Sequence, residues 1–591
     1  MLTPDAKDRA KRLFGKRSKA VQTSLVDKAE DHFERNVIRR FGRLWNVRRF
    51  VVGWLVLCLL LSAAVVAQTR ALGGYYRTMQ SAAGGIYQEG IVGSYTNANP
   101  LYVTGQVNDA VSKLMFAGLF TYDERNRLVG DLAESYVADP AGTTYTVKMR
   151  SGLTWHDGRP LTSRDVLFTY RSIQNPDVQS PLTGSWQGVA VSAPDDRTVV
   201  FKLPNPLVAF PLSLTTGIIP EHAFKGVKEA NFRSSAFNTT KPVGSGPFKL
   251  KAIEVTGNSP STRQEEIELV PFEGYHAGPP KLSSFVVHTY PNQDEMAEEY
   301  RDRAINAMAG LHDLPEDIVD DANNQINTMP LAAANMVFFK TTSGVLADKG
   351  VRQALVGGTD VPALTDGLRQ PILPVRSPIL SGFPGYDPAQ RQLDFGAATA
   401  NSMLDQQGWV RGSDGIRSKG DQKLTFRLYA QNSDEYVQVT DRLRSQWKGL
   451  GADVHIVLQE DADLRTTISG VGGAGGHSYD ALLYGISMGT DPDGFVYWHS
   501  SQADVRSAAR LNLSEYNSPV ADSALEDGRT RSDPNLRAIK YKPFLQAWRD
   551  DAPALGLYQP RFTYVTRGEV FNLRDHTLTT DTDRFNNVRS G

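Results

Sequence analysis

The 591-residue chain has a single cysteine, Cys58, so it can close no intrachain disulfide and build no multi-cysteine zinc site. Nothing in it matches HExxH, GxSxG, a phosphate-cradling Walker loop or CxxC. Its 10 histidines are scattered without metal-ligand spacing, so neither a metal nor another cofactor is expected. No repeat of solenoid period runs through it. The nearest approach to a nucleotide motif is GVGGAGG at residues 470–476, which satisfies GxGxxG. It follows a helix-like stretch and leads into the strand-like YDALLYG, the reverse of a dinucleotide fingerprint, and reads as a mobile loop. Catalysis therefore has little to rest on. Hydrophobic, aromatic and charged fractions of 40%, 9% and 22% are those of an ordinary globular protein, which excludes disorder, collagen and coiled-coil arrays for most of the chain.

Charge is unevenly spread. Residues 1–49 hold 14 Lys/Arg against 6 Asp/Glu, a net of +8, while the rest of the chain carries −9. An acidic body gives no electrostatic reason to bind a phosphate backbone, so nucleic acid is not an expected partner. Between the two lies FVVGWLVLCLLLSAAVVA, residues 50–67, which contains no charge and as a helix is ~27 Å long, close to a bilayer core. The positive flank places residues 1–49 in the cytoplasm and the body outside. A region of 49 residues before the span is longer than signal peptides carry, so the segment reads as an uncleaved anchor with Cys58 as apolar filler, the alternative being a signal peptide cleaved after Ala67, where Val65 and Ala67 suit a cleavage site. Within the head, Leu25, Ala29, Phe33, Val37, Phe41 and Trp45 recur every four residues among arginines. That pattern predicts an amphipathic basic helix, either lying on the inner leaflet or a cytoplasmic partner, or serving only as a topology signal. Residues 68–85, with four glycines, read as a linker.

From about residue 86 strand-like and helix-like stretches alternate, predicting an α/β body. Residues 144–149, 199–203 and 423–430 have the short, β-branched, alternating look of strands. Residues 163–173, capped by Thr162 and Asp165, and residues 434–450 read as helices. WHDG at residues 155–158 reads as a turn with Trp155 packed beneath it rather than as an acid/base pair. DPDGF at residues 491–495 reads as a proline-centred turn with solvated acids, the alternative being that Asp491 or Asp493 faces a cleft.

Several of these stretches together resemble the family 5 extracellular solute-binding proteins, the dipeptide, oligopeptide and nickel binders of ABC importers. Residues 115–173 (MFAGLFTYDERNRLVGDLAESY through GLTWHDGRPLTSRDVLFTYRSI) resemble the family's signature region. PVGSGPFKL at 242–250, VRQAL at 351–355, YDALLYGISMGTDPDGFVYWHSSQ at 479–502 and DAPALGLYQP at 551–560 follow in family order. The landmarks cover nearly everything from residue 86 to residue 591.

The resemblance implies a two-lobed fold of the periplasmic-binding-protein type II class that closes on its ligand, with no catalysis required. The first lobe is expected at 86–335 with an inserted subdomain at about 116–240, the second at 336–554, and a return to the first at 555–591. The implied function is capture of extracellular peptides, or a related small solute, for delivery to an ABC permease, by a monomer. The alternatives are a ligand sensor signalling through the cytoplasmic head and, less favoured by the missing nucleophile motifs, an extracellular hydrolase. The family lays its peptide as an added strand between the lobes. By position, Thr104, Gln106 and Asn108 would flank the ligand from one side, and Gly485, Ser487, Met488 and Thr490 from the other, with Asp491 and Asp493 as nearby acids. In peptide-binding relatives the position of Met488 is an aspartate that pairs with the ligand's α-amino group. A methionine neutralises no ammonium, which predicts less than about tenfold discrimination between a free and an acetylated amino terminus.

Overall fold

The computed structural model describes residues 48–77 and 84–587, apart from 124–125, 260–261, 313, 369–371, 470–477, 504–510 and 569–576. The basic head and the glycine-rich loop at 470–476 lie outside the described residues. The chain divides into two compact units, residues 1–82 and 83–591.

In the first unit a single helix, Arg48–Arg77, contains the whole apolar run. It continues through Gly73 and Gly74 into the stretch expected to be linker, because two glycines at about 1 kcal/mol each do not offset a helix already nucleated over six turns. Its described side chains from Val52 to Val66 are exposed, Leu59 by 71%. Among the described residues no helix is long and apolar enough to cross a membrane.

The second unit is organised by one 12-stranded sheet, its strands numbered along the chain: β1 (Ile86–Val92), β2 (Phe248–Thr256), β3 (Gln264–Pro271), β4 (Ser284–Tyr290), β5 (Ala307–Ala309), β6 (Asn324–Pro330), β7 (Ala333–Phe339), β8 (Ile372–Pro374), β9 (Thr425–Gln431), β10 (Asp453–Gln459), β11 (Ala481–Ser487) and β12 (Ala554–Arg567). The order is β10-β9-β11-β7-β12-β5-β1-β4-β3-β2, with β6 and β8 also paired to β12. The 14-residue β12 is the shared element. Its first half pairs with β7 and β8, and its second half with β5 and β6. The chain passes between the halves at 331–332 and at 560–561. A proline marks each passage, Pro330 just before the first and Pro560 within the second, and removes a backbone donor where the ladder changes partners.

Both halves bury side chains on two faces. On β7, Ala334, Met336 and Phe338 enter one core and Val337 and Phe339 the other; on β11, Leu482 and Ile486 face Ala481 and Leu483 in the same way. This period-2 split is why these strands read as near-continuous apolar runs. On the other half, Tyr564 enters the largest core and Val565 a smaller one.

An inserted four-stranded antiparallel sheet, in the order Ala133–Ala138, Thr144–Met149, Thr198–Lys202, Ala190–Asp195, sits between β1 and β2 in the chain. The helix Ser163–Gln174 covers it, started by the capping box expected from Thr162 and Asp165. The helix Asp434–Gly449 is capped by Ser433, whose oxygen accepts from the Tyr436 N–H.

Candidate functional site: a cleft between the two lobes

The residues of β1 to β6 with the inserted sheet pack into one set of cores, here called the first lobe, and those from β7 to the start of β12 into another, here called the second. A cavity of about 880 Å³ lies between them. Its walls come from the helix Gln106–Met115, the inserted subdomain and the return segment on one side, and from residues 488–496 and Arg529 on the other.

The first-lobe wall is set by backbone packing around the helix Gln106–Met115. Gly105, at φ 87, turns the chain into it, a conformation that suits glycine. Asn108 is consumed by the turn before it: Oδ1 accepts from the N–H groups of Thr96 (2.8 Å) and Asn97 (3.0 Å), and Nδ2 donates to Thr96 Oγ1 (3.0 Å) and the Thr104 carbonyl (2.8 Å). Asn108 therefore positions the helix and has no capacity left for a ligand, against the expectation from its place in the sequence. The Thr104 carbonyl is taken by the same network, and the Gln106 amide lies against Gly310.

At the helix's other end the Gly246 N–H donates to the Met115 carbonyl at 2.8 Å, and a Cβ on Gly244 would sit 1.9 Å from that same oxygen. The WHDG turn locks onto this loop. His156 Nδ1 accepts from the Gly244 N–H and Nε2 donates to the Gly246 carbonyl, both at 3.1 Å, while Trp155 is buried beneath. Burial holds His156 neutral, its pKa pushed down to about 4 against the hydrogen bond to the Gly246 carbonyl, which acts to raise it. WHDG and PVGSGPF are thus two halves of one clamp on the cleft helix.

The second-lobe wall is a loop braced by arginines. Asp491 pairs bidentately with Arg537 (2.6 Å for both bonds) and accepts from the Asp493 N–H (2.9 Å). Asp493 pairs with Arg529 at 3.1 Å and accepts from the Phe495 N–H. Burial raises Asp493 while Arg529 opposes the shift. Both acids line the cavity, but as counter-ions rather than the solvated acids expected of the turn, and neither has a charge to spare for a ligand. Arg529 also lies 3.9 Å above the Phe495 ring. Met488 lines the cavity with its side chain half-buried against the second-lobe core, and its N–H donates to the Ala332 carbonyl at 2.7 Å. Thr490 reaches across the cleft: its hydroxyl meets Tyr122 OH at 2.9 Å. The Val208 N–H donates to the Arg529 carbonyl at 3.3 Å, a second contact between lobes. Neither arginine, nor Tyr122, was legible from local pattern, since each partner lies tens to hundreds of residues away.

The strand leading into this loop, β11, pairs with β7 along its whole length but with β9 only at Ala481 and Leu482. From Leu483 to Ser487 one edge has no strand partner among the described residues. The Ser487 carbonyl accepts from Tyr497 OH at 2.5 Å. Gly485 leaves room for Asn335, whose Oδ1 accepts from Tyr436 OH at 2.8 Å. Next to Tyr436, Glu435 accepts from Tyr558 OH and lines a second interlobe cavity of about 870 Å³ together with Ser433, Gln438 and first-lobe residues such as Gln293 and Leu314. The open edge of β11 leads directly into Met488, the first residue of this wall that lines the 880 Å³ cavity. Among the described residues no group of acids, histidines and cysteines is arranged to hold a metal.

Comparison with known proteins agrees with this architecture. Residues 127–507 match the family model described as "Bacterial extracellular solute-binding proteins, family 5 Middle". The oligopeptide-binding protein AppA of Bacillus subtilis is 26% identical over 490 residues, covering 81% of this chain and 86% of AppA. Protein XP55 of Streptomyces lividans is 28% identical over 487 residues, with 81% and 82% covered. The structure of B. subtilis AppA in complex with a nonapeptide superposes with a TM-score of 0.70 at 24% identity, covering 86% of this chain and 99% of AppA. NikZ from Campylobacter jejuni in complex with Ni(L-His) gives 0.68 at 22%, covering 85% and 98%. With a family match that spans well over half of the sequence, the chain belongs to the family 5 extracellular solute-binding proteins of bacteria.

Proposed function

We propose that this chain captures extracellular peptides between its lobes and hands them to the permease of an ABC importer, acting as a monomer and without catalysis. The observation that carries the reading is the unpaired edge of β11, which leads directly into Met488 on the wall of the 880 Å³ cavity, a place where an extended chain can add as a strand and gain sequence-tolerant backbone hydrogen bonds. The lobes are taken as residues 86–331 with the return after 560, and 332–560, so that the two proline-marked passages act as the hinge. A ligand that touches both lobes stabilises the closed state by its differential affinity for it, and that state is what a permease would read. Residues 50–67 are proposed as an anchor that leaves the binding unit outside the cell and residues 1–49 inside, supported by an uncharged stretch of 18 residues within one helix whose described apolar side chains are exposed. Full-length protein in nanodiscs, incubated with a random pool of tri- to nonapeptides, should retain a subset identifiable by mass spectrometry. Retained peptides should raise the melting temperature with concentration as RT ln(1 + [L]/Kd). Retention of none of the pool overturns the peptide reading.

A further inference from the structure

Asp109, in the first turn of the helix Gln106–Met115, lines the 880 Å³ cavity. Its carboxylate makes no hydrogen bond or ion pair with a described residue. The other charged groups of that cavity are committed. Asp491 and Asp493 are neutralised by Arg537 and Arg529. Asp583 accepts the N–H groups of Thr579 and Thr580 at 2.8 and 3.1 Å, and Lys113 Nζ donates to Thr121 Oγ1 at 3.4 Å. Behind Asp109, Arg584 is held by Glu89 in a buried pair at 2.6 Å, and the Asp581 carboxylate beside it adds further negative charge. On the facing wall Met488 offers no charge at all.

We propose that Asp109 is the charge partner of the ligand and selects peptides that present an ammonium or guanidinium group to the first-lobe wall. The proposal rests on the peptide reading above and replaces the weak discrimination expected from Met488 alone: the cation's partner has moved from the second lobe to the first. Geometry favours this placement, because an uncompensated carboxylate in a closing cleft is costly until a cation joins it, and a charge-assisted bond formed there is among the stronger ones available. Burial first, and then Asp581, raise Asp109 to about 6, against the opposing Arg584, so the group is charged at pH 7.5 and has the most to gain from a cation at that pH.

The test uses full-length protein in nanodiscs at pH 7.5 and three random peptide pools of three to nine residues: free amino termini without Lys or Arg, acetylated termini without Lys or Arg, and acetylated termini with one Lys or Arg. Wild type, Asp109→Asn and Asp109→Glu are compared by mass-spectrometric retention and melting temperature. Wild type should retain at least one cationic pool about tenfold or more over the uncharged pool, and which pool wins tells an amino terminus from a side chain. Asp109→Asn should reduce that ratio to about threefold or less while a cooperative melting transition shows the variant to be folded, and Asp109→Glu should keep part of it. A wild type without preference, or an Asp109→Asn variant that keeps it, overturns the proposal while leaving peptide binding intact. Failure of wild type to retain any pool overturns the peptide reading and this proposal with it.

Discussion

At the scale of single residues, His156 shows how a motif with the look of chemistry serves packing. Only the neutral ring, protonated on Nε2, satisfies both of its partners, since a proton on Nδ1 would face the Gly244 N–H. Its folded pKa of about 4 lies below the unfolded value of about 6.5. Between those values the unfolded chain binds more protons, so this group's contribution to stability is complete above pH 6.5 and is lost as the pH falls towards 4. Several buried acids raised by burial, among them Asp165 and Asp581, act in the opposite sense and mask the effect in wild type alone. The difference between wild type and His156→Gln isolates it. Chemical denaturation should find wild type more stable at pH 7 and its advantage shrinking by about 1.4 kcal/mol per pH unit below 6.5. A constant difference across that range would refute the neutral buried histidine. Gly244 makes a sharper steric prediction. An alanine Cβ 1.9 Å from the Met115 carbonyl meets backbone that cannot swing aside, so Gly244→Ala should lower stability by about 3 kcal/mol or more.

At the scale of elements, the second-lobe loop depends on helices that follow it in sequence. Arg537, from the helix Pro534–Asp551, and Asp491 are both largely buried, with side chains 7% and 17% exposed. Removing one partner of such a pair typically costs 3 to 5 kcal/mol because a charge is left behind, whereas replacing both with apolar groups is far milder. Arg537→Met should therefore destabilise the protein strongly and Asp491→Leu/Arg537→Met much less, read as unfolding midpoints; equal losses would mean that the pair is not a unit. These braces mark the limit of sequence reading. The capping box at Thr162 and Asp165 and the strand at Thr144–Met149 were legible because their determinants lie within a few residues of one another. The DPDGF turn was legible as a turn, but its arginine partners lie 46 and 36 positions away, on helices whose own periodicity says nothing of where they dock. Asn108 misled for the same reason: its four hydrogen bonds depend on how the preceding loop folds back, which no spacing encodes.

At the scale of the molecule, the order of landmarks carried the two-lobed architecture, while the sharing of β12 between the lobes appears only in the sheet, because period-2 patterning specifies faces and not partners. The proposed membrane topology rests on charge and hydropathy alone. If residues 50–67 span a membrane as proposed, the 14 Lys/Arg of residues 1–49 set the orientation with that end inside, whatever else the head does. With an epitope tag at the N-terminus, protease added to intact cells, or to spheroplasts where an outer membrane is present, should degrade the binding unit and leave a small tagged fragment protected. Permeabilising the membrane should then expose the tag. Recovery of a released body beginning at Gln68 would show cleavage instead of anchoring, and loss of the tag from intact cells would invert the topology. An anchored binder has a further consequence that separates it from a freely diffusing one. A tether would hold the binder at a high local concentration near the proposed permease, so uptake should withstand a large dilution of the surrounding medium. Replacing residues 1–67 by a cleavable secretion signal should release the unit with its peptide affinity intact while uptake falls, and unchanged uptake after release would remove any role for the tether in transport.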